Sequence, residues 1–211
     1  MVRTDRGSWN IRDVHMMDTG DRIAAHLAAQ PGPHPSPHPG PQPDPQGQGV
    51  LWAHNTHVGD ARATTMADAG LLNLGQLLRE RHGRDQTLLV GMASYVGEVT
   101  AARAWGDPEE RMPVPAAREN SHEGLLHRAL GEPAAIDFGA DRARPWLAHR
   151  AGHRAIGVVY DPASESGHYV PTTIGERYDA LLWFESTRAL LPLHHEKTPE
   201  EAEYETEPSG Y

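Results

Sequence analysis

Apolar residues recur at helical spacing in three parts of the chain. The first part follows Asn10, a residue type that caps helix N-termini, and extends to about Ala29. The second runs from Ala63 to Arg81, just before Gly83, and the third begins at Ser121. These patterns predict three helices, and in the middle of the first Gly20 disfavours the helical conformation by about 1 kcal/mol.

Short apolar runs between these helices are typical of strands. They are GVLWA (49–53), TLLVGMA (87–93), EPAAIDF (132–138), AIGVVYDP (155–162) and DALLWFE (179–185). Continuous apolar runs of this length indicate strands that are covered on both faces. Strands that alternate with helices predict an α/β layered fold, with a mainly parallel mixed sheet flanked by helices.

Two segments have compositions that do not favour a packed core. Residues 31–45 carry eight prolines at alternate positions, with His34 and His38 among them, which predicts an exposed polyproline-like loop within 31–49. Residues 196–211 hold six glutamates against one lysine, which predicts an acidic disordered tail. We therefore expect one folded domain over 1–195 and a tail over 196–211.

Charge and composition limit the classes of function. The formal net charge is −10, and the tail supplies about half of it, since six minus one is five. A mildly acidic folded part does not favour nucleic acid as a partner. The chain has no cysteine, no N-terminal apolar stretch typical of a signal peptide and no run long enough to span a membrane, so we expect a cytoplasmic protein without a membrane partner.

The stretch VLWAHNTHVGDARAT (50–64) carries the most distinctive candidate chemistry. His54 and His57 follow an apolar run directly, with Asn55 next to His54. In α/β sheets, sites form at the carboxyl ends of strands, and histidine can transfer protons or bind metals near neutral pH. The alternative is that these histidines only hydrogen-bond a neighbouring loop.

Other interpretations of the polar residues have less support. An H-x-x-H pair supplies two of the three protein ligands that a zinc enzyme needs, and the helical H-E-x-x-H signature does not occur. SHEGLLH (121–127) is explained by helix capping, with Glu123 well placed against the helix dipole. Arg12 and Asp13 can be explained by an ion pair. No G-x-S-x-G motif indicates a serine hydrolase.

Several segments together resemble the erythromycin esterase-like family. They are WNIRDVHM (9–16), VLWAHNTHVGDARAT (50–64), LNLGQLLRERHG (72–83), MPVPAARENSHEGLLH (112–127), RAIGVVYDP (154–162) and YDALLWFESTRALLPL (178–193). The resemblance implies a mixed α/β core around a deep cleft. It also implies a carboxylic ester hydrolase that opens a macrolactone, such as a macrolide antibiotic, with water activated by histidine and without a metal or other cofactor.

The resemblance also implies roles for individual residues. The histidine of the WAHN segment is His54, the expected catalytic residue, and the arginine of the W-N-x-R-D segment is Arg12, an expected donor to the substrate. Asn55 and His57 are expected to support substrate binding. Fixed cationic or N–H donors are the groups that best stabilise the oxyanion of ester hydrolysis.

The resemblance is to the C-terminal part of the family's domain. Its N-terminal half, which supplies a general-base histidine and its glutamate partners, has no counterpart before Trp9. We therefore expect an incomplete sheet, a truncated chain with little or no activity by itself, and self-association through uncovered apolar faces at 88–90 and 158–160. The alternative is a non-catalytic haem- or metal-binding module of the same superfamily that uses His54 and His57, and a third reading makes the His/Pro-rich loop a weak metal scavenger.

Overall fold

The computed structural model describes residues 6–29, 49–139 and 143–191. The predicted proline-rich loop at 31–49, except for its last residue, and the predicted acidic tail at 196–211 lie outside these ranges. Within them, the helices are α1 Arg6–Ala28, α2 Asn55–Val58, α3 Thr65–Asp68, α4 Leu74–His82, α5 His122–Leu130, α6 Pro145–Ala148 and α7 Ile174–Arg177. No helix in the described part of the chain is long and apolar enough to cross a membrane.

The main sheet confirms the α/β fold with a mixed sheet. The strands of the described chain are β1 Val90–Ala101, β2 Glu110–Val114, β3 Ala134–Asp137, β4 Arg150–Arg154, β5 Tyr169–Thr173 and β6 Ala180–Thr187. The main sheet has the order β2-β1-β6-β3. Its central pair, β1 and β6, is parallel, whereas β2 and β3 join the edges in antiparallel orientation. Strands β4 and β5 form a separate antiparallel pair.

Two of the predicted strands are wrong. Residues 49–53 form no strand and pair with none among the described residues, and Val50 and Trp52 are 92% and 82% exposed. In the run 155–162, Val159 makes only an isolated bridge to Ala102 and Val158 is 62% exposed. An apolar run becomes a strand only where a partner backbone pairs with its amides, and the run itself does not show whether one is there.

The predicted helix boundaries are partly correct. Ser121 caps α5 by accepting a hydrogen bond from Gly124 N–H, and α4 ends at Gly83, whose φ of 82° favours glycine. Asn10 is not a cap but lies inside α1, where its amide bonds Gly70 O and Leu72 N at 3.1 Å each. The helix predicted over 63–81 is divided into α3 and α4.

The hydrophobic core lies where the parallel strands meet α5, α6 and α7. Its largest fully buried members are Trp183, Tyr178 and Phe138. Tyr178 packs so closely on β1 that a Cβ at Gly91 would lie 2.7 Å from its ring, which explains a glycine inside a central strand. The strand and the aromatic ring therefore fix each other's position.

A buried ion-pair network fixes α4 to this core. Arg79, which is 6% exposed, donates to Asp60 at 3.1 Å and to Asp179 at 2.9 Å. Burial alone would raise the pKa of Asp60, but hydrogen bonds from Arg62 and Arg79 lower it overall. Asp179 in turn accepts the N–H of Leu89 at 2.8 Å, so the network reaches the start of β1.

A second buried cluster lies between α5 and β4. Glu123 accepts hydrogen bonds from His153 Nδ1 at 2.6 Å and from Arg154 N–H at 2.9 Å. Burial raises the pKa of Glu123, but its interactions with His153 outweigh burial and lower that pKa to about 2. The neighbouring His122 donates from Nε2 to Thr172 O, and burial lowers its pKa to about 4.

This cluster predicts an acid-sensitive fold. The pKa of His122 is about 4 in the folded state against 6.5 ordinarily, so between these values the unfolded chain binds more protons. The free energy of unfolding therefore falls as the pH drops from 6.5 towards 4, by up to about 1.4 kcal/mol per pH unit from this one group. The free energy of unfolding that Glu123 contributes is lost at lower pH, between the ordinary pKa of 4.5 and the folded-state pKa of about 2.

Urea unfolding of a His122→Gln variant at several pH values measures the effect. Glutamine keeps a donor for Thr172 O but does not titrate, so we expect a flatter stability curve between pH 6.5 and 4.5. His82→Gln, at an exposed histidine, should follow the parent chain. Parallel curves for the parent chain and His122→Gln would contradict the assignment.

Candidate active site

The histidine loop, residues 54–57, consists of the N-cap and the first residues of α2. It does not follow a strand. His54 is the N-cap of this short helix, and its Nδ1 accepts the N–H of Thr56 at 3.2 Å. The proton of the neutral imidazole therefore lies on Nε2, which donates to Ile156 O at 2.6 Å. His54 is exposed at its surface, but partial desolvation of the ring by the surrounding chain lowers its pKa, so the neutral form is favoured. Both ring nitrogens are thus engaged by the chain itself.

Asn55 fixes the loop to the main sheet. Its side-chain amide donates to Met92 O at 2.5 Å and accepts from Met92 N at 3.1 Å, as a neighbouring strand would. Both ends of the amide are therefore used within the protein. The predicted role of Asn55 in substrate binding stays a prediction, whereas its structural role is a feature of the fold.

His57 has the carboxylate partner that His54 lacks. Its Nδ1 lies 2.9 Å from Oδ2 of Asp13, and the Asp13 side chain is fully buried. The imidazole stacks on Trp9 of α1, with ring centroids 4.7 Å apart and planes 7° apart. Its Nε2 makes no hydrogen bond to any residue in the described ranges. The ring is thus held on one nitrogen and along one face, and the other nitrogen is available.

Arg12 reaches the same cluster through the same tryptophan. It is exposed, and its guanidinium lies 4.7 Å from the ring centroid of Trp9, within the range of a cation–π contact. Arg12 therefore contacts Trp9, the same ring on which His57 stacks, and not Asp13 in an intrahelical ion pair. The structure brings together Arg12, Trp9 and His57, while His54 and Asn55 are directed to Ile156 and Met92.

Two important residues of this region were missed by the sequence reasoning. Asp13 was interpreted as part of an ion pair with arginine, yet it orients His57. The signal was in the spacing, because Trp9, Asp13 and Met17 are four residues apart on one face of α1, and both Asp13 and Met17 are buried. An acidic residue between two core positions indicates a buried partner.

Arg177 is the second missed residue. It is fully buried and donates to Asn55 O and to Thr172 Oγ1, each at 3.1 Å. Its charge also contributes to lowering the pKa of His54. No sequence motif signals this residue, because its contact with Asn55 joins segments 122 positions apart in the chain.

The alternative of a metal or haem site gains no support from these contacts. Three of the four ring nitrogens of His54 and His57 bond Ile156, Thr56 and Asp13, so only Nε2 of His57 could serve as a ligand from this pair. Across 6–29, 49–139 and 143–191, no three His, Asp or Glu side chains converge as ligands for a metal ion.

Comparisons with known proteins agree with the fold. Solved structures that resemble the chain include a succinoglycan biosynthesis protein (TM-score 0.54, 19% identity), a protein from Bacillus cereus (0.52, 20%) and a mutant of the erythromycin esterase EreC in its open conformation (0.51, 18%). They cover 65%, 65% and 84% of this chain, which spans 32%, 33% and 37% of theirs.

At these identities the structural similarity shows the fold alone. The chain spans about a third of the length of the solved structures it matches. The model of the erythromycin esterase family matches residues 1–187, which is most of the sequence. The chain therefore belongs to the erythromycin esterase family.

Proposed function

We propose that this chain forms part of the active site of an ester hydrolase that opens a macrolactone with water. Family membership indicates a hydrolase-like function. The observation that supports the chemistry best is the Asp13–His57 pair, in which a buried carboxylate orients one ring nitrogen and the other remains available. A carboxylate-held imidazole is a common form of general base.

The reaction needs a proton acceptor and a site for negative charge. Nε2 of His57 takes a proton from water as the water oxygen attacks the ester carbonyl carbon. The resulting oxyanion is stabilised by a nearby cation, for which Arg12 is the candidate. As the tetrahedral intermediate collapses, the bond to the alcohol oxygen breaks, and the imidazolium returns its proton to that oxygen. The products are a carboxylic acid and an alcohol.

His54, which the sequence favours as the catalytic histidine, has a different position in this proposal. Its Nε2–H is already polarised against the Ile156 carbonyl, and its pKa is lowered. A neutral imidazole can donate its Nε2–H to a substrate oxygen when the bond to Ile156 opens. His54 is therefore proposed as the donor and His57 as the base.

We further propose that the complete site needs more of the family's fold than this chain contains. The chain spans only 32–37% of the solved structures it matches, and the run 50–52 is exposed. The chain by itself is accordingly expected to hydrolyse macrolides weakly or not at all. Supplying the remaining part of the family's fold is expected to restore the activity. The macrolide substrate itself and the cytoplasmic location stay predictions.

The activity test uses a macrolide with mass-spectrometric detection of the ring-opened product, which gains one water. In the chain combined with the remaining part of the family's fold, His57→Ala and His54→Ala should each lower kcat/KM by about 10²–10⁴, the usual contribution of a positioned acid or base. His82→Ala removes an exposed histidine and should leave the rate unchanged. Full activity in both loop variants would refute the proposal.

Asp13 provides a test of positioning. Asp13→Asn should lower kcat more than it changes KM, because an amide cannot hold the imidazole in the required tautomer. Loss of the buried carboxylate should also lower the free energy of unfolding by about 1–3 kcal/mol. Asp18→Asn is the matched control, since Asp18 pairs with Arg81 at the surface of α1. If both variants change kcat equally, orientation of His57 by Asp13 is not the cause.

Exposed apolar side chains support a proposal of self-association. Trp52, Leu88 and Val158 are 82%, 72% and 62% exposed. Val90 and Tyr160, which the sequence analysis placed in the same uncovered faces, are half-buried and buried. Large exposed apolar residues favour association when they form a continuous patch.

Size-exclusion chromatography with light scattering measures the state of the chain in solution. We expect dimers or larger species, and Trp52→Ser should shift them towards monomer because it removes the largest exposed apolar side chain of the 50–52 run. Trp105→Ser is the matched control, since Trp105 is 70% exposed but lies outside that run. A monomeric parent chain would rule out self-association.

A further inference from the structure

A cavity of about 300 Å³ lies beside α5, and no residue of the histidine loop lines it. Its polar wall consists of Tyr95 from β1, Glu119 and Asn120 from the loop before α5, and His127 and Arg128 from α5. The volume lies at the lower end of the range for small-molecule sites. The cavity is therefore large enough for one compact ligand.

His127 is held in this wall from two directions. Its ring stacks on Tyr95 with centroids 3.6 Å apart and planes 1° apart, and its Nδ1 bonds Oε1 of Glu185 on β6. Its Nε2 makes no hydrogen bond to a residue in the described ranges. Three elements of the fold thus fix the orientation of an imidazole that keeps one nitrogen for another partner, which is the form of a prepared binding group.

Glu185 supports the same interpretation. Its second oxygen, Oε2, is buried and has no hydrogen-bond partner among the described residues. A buried carboxylate oxygen costs free energy unless a donor reaches it. The carboxylate therefore serves His127, and Oε2 can accept a further donor.

The charges of the wall select between classes of ligand. Glu119 and Arg128 carry opposite charges and Asn120 is neutral, so the rim has no excess of either sign. An anion would meet the Glu119 carboxylate, and a metal ion would meet the Arg128 guanidinium. A hydroxyl group donates and accepts at once, so it matches the carboxylate, the amide, the guanidinium and the imidazole in either protonation state.

From these contacts we infer that the cavity beside α5 binds a neutral polyhydroxylated ligand of monosaccharide size. His127, held by Glu185 and Tyr95, bonds one hydroxyl through Nε2. Glu119, Asn120 and Arg128 bond the others at the rim. The site is separate in its residues from the proposed hydrolytic site, so either proposal can fail without the other.

Nuclear magnetic resonance of the histidine side chains tests this site in the full chain. The probes are methyl α-D-glucopyranoside and myo-inositol as neutral polyols, with inorganic phosphate as the anion. We expect a saturable shift of the His127 ring resonances with a Kd in the millimolar range for at least one polyol, and no comparable shift with phosphate. Absence of a saturable shift with both polyols, or equal binding of phosphate, would overturn the inference.

Two variants locate the binding. His127→Ala and Glu185→Gln should each weaken polyol binding by about tenfold or more, measured by saturation-transfer spectra of the sugar. His82→Ala is the matched control, because His82 also pairs with a carboxylate, Asp21 at 3.0 Å, but does not line the cavity. If His127→Ala does not fold, Glu185→Gln and the parent resonances decide the outcome. Unchanged binding in Glu185→Gln would contradict the role given to the pair.

Discussion

The buried carboxylate of Asp13 holds together the part of the molecule that bears the candidate chemistry. Its Oδ2 accepts from His57 Nδ1 and from the N–H of Leu74, both at 2.9 Å. One side chain of α1 thereby joins the histidine loop to the start of α4. A buried charge of this kind stabilises a structure only when its donors are all in place, so the three segments depend on each other.

The other contacts of α1 reinforce this junction. Trp9 donates to Leu72 O at 2.8 Å, and Asn10 bonds the same turn, so α1 follows α4 along its length. At the far end, Arg81 pairs with Asp18 and Asp21 at the surface, where such pairs contribute little to stability. The position of His57 therefore depends mainly on the buried end of the helix.

Local sequence patterns predicted local structure such as helix ends. They could not predict which residues distant in the chain pair with each other. Ser121 and Gly83 mark helix ends because capping is decided by neighbouring residues. The strand predicted at 49–53 and the partner of His57 depend on residues distant in the chain, such as Asp13, which lies 44 positions away. The family resemblance located the histidine loop, but the contacts were needed to show that both ends of the Asn55 amide are used within the fold, whereas only Nδ1 of His57 is bonded among the described residues.

The pairing of Asn55 with Met92 also sets a limit on how the sheet can grow. Because the amide occupies both the N–H and the carbonyl of Met92, no strand can pair with β1 at that residue from the same side. Alternate residues of a strand direct their hydrogen-bonding groups to opposite neighbours, so this limit applies to one edge of β1. Asn55 thus takes the place of a strand partner at Met92 and attaches the histidine loop to that edge of β1.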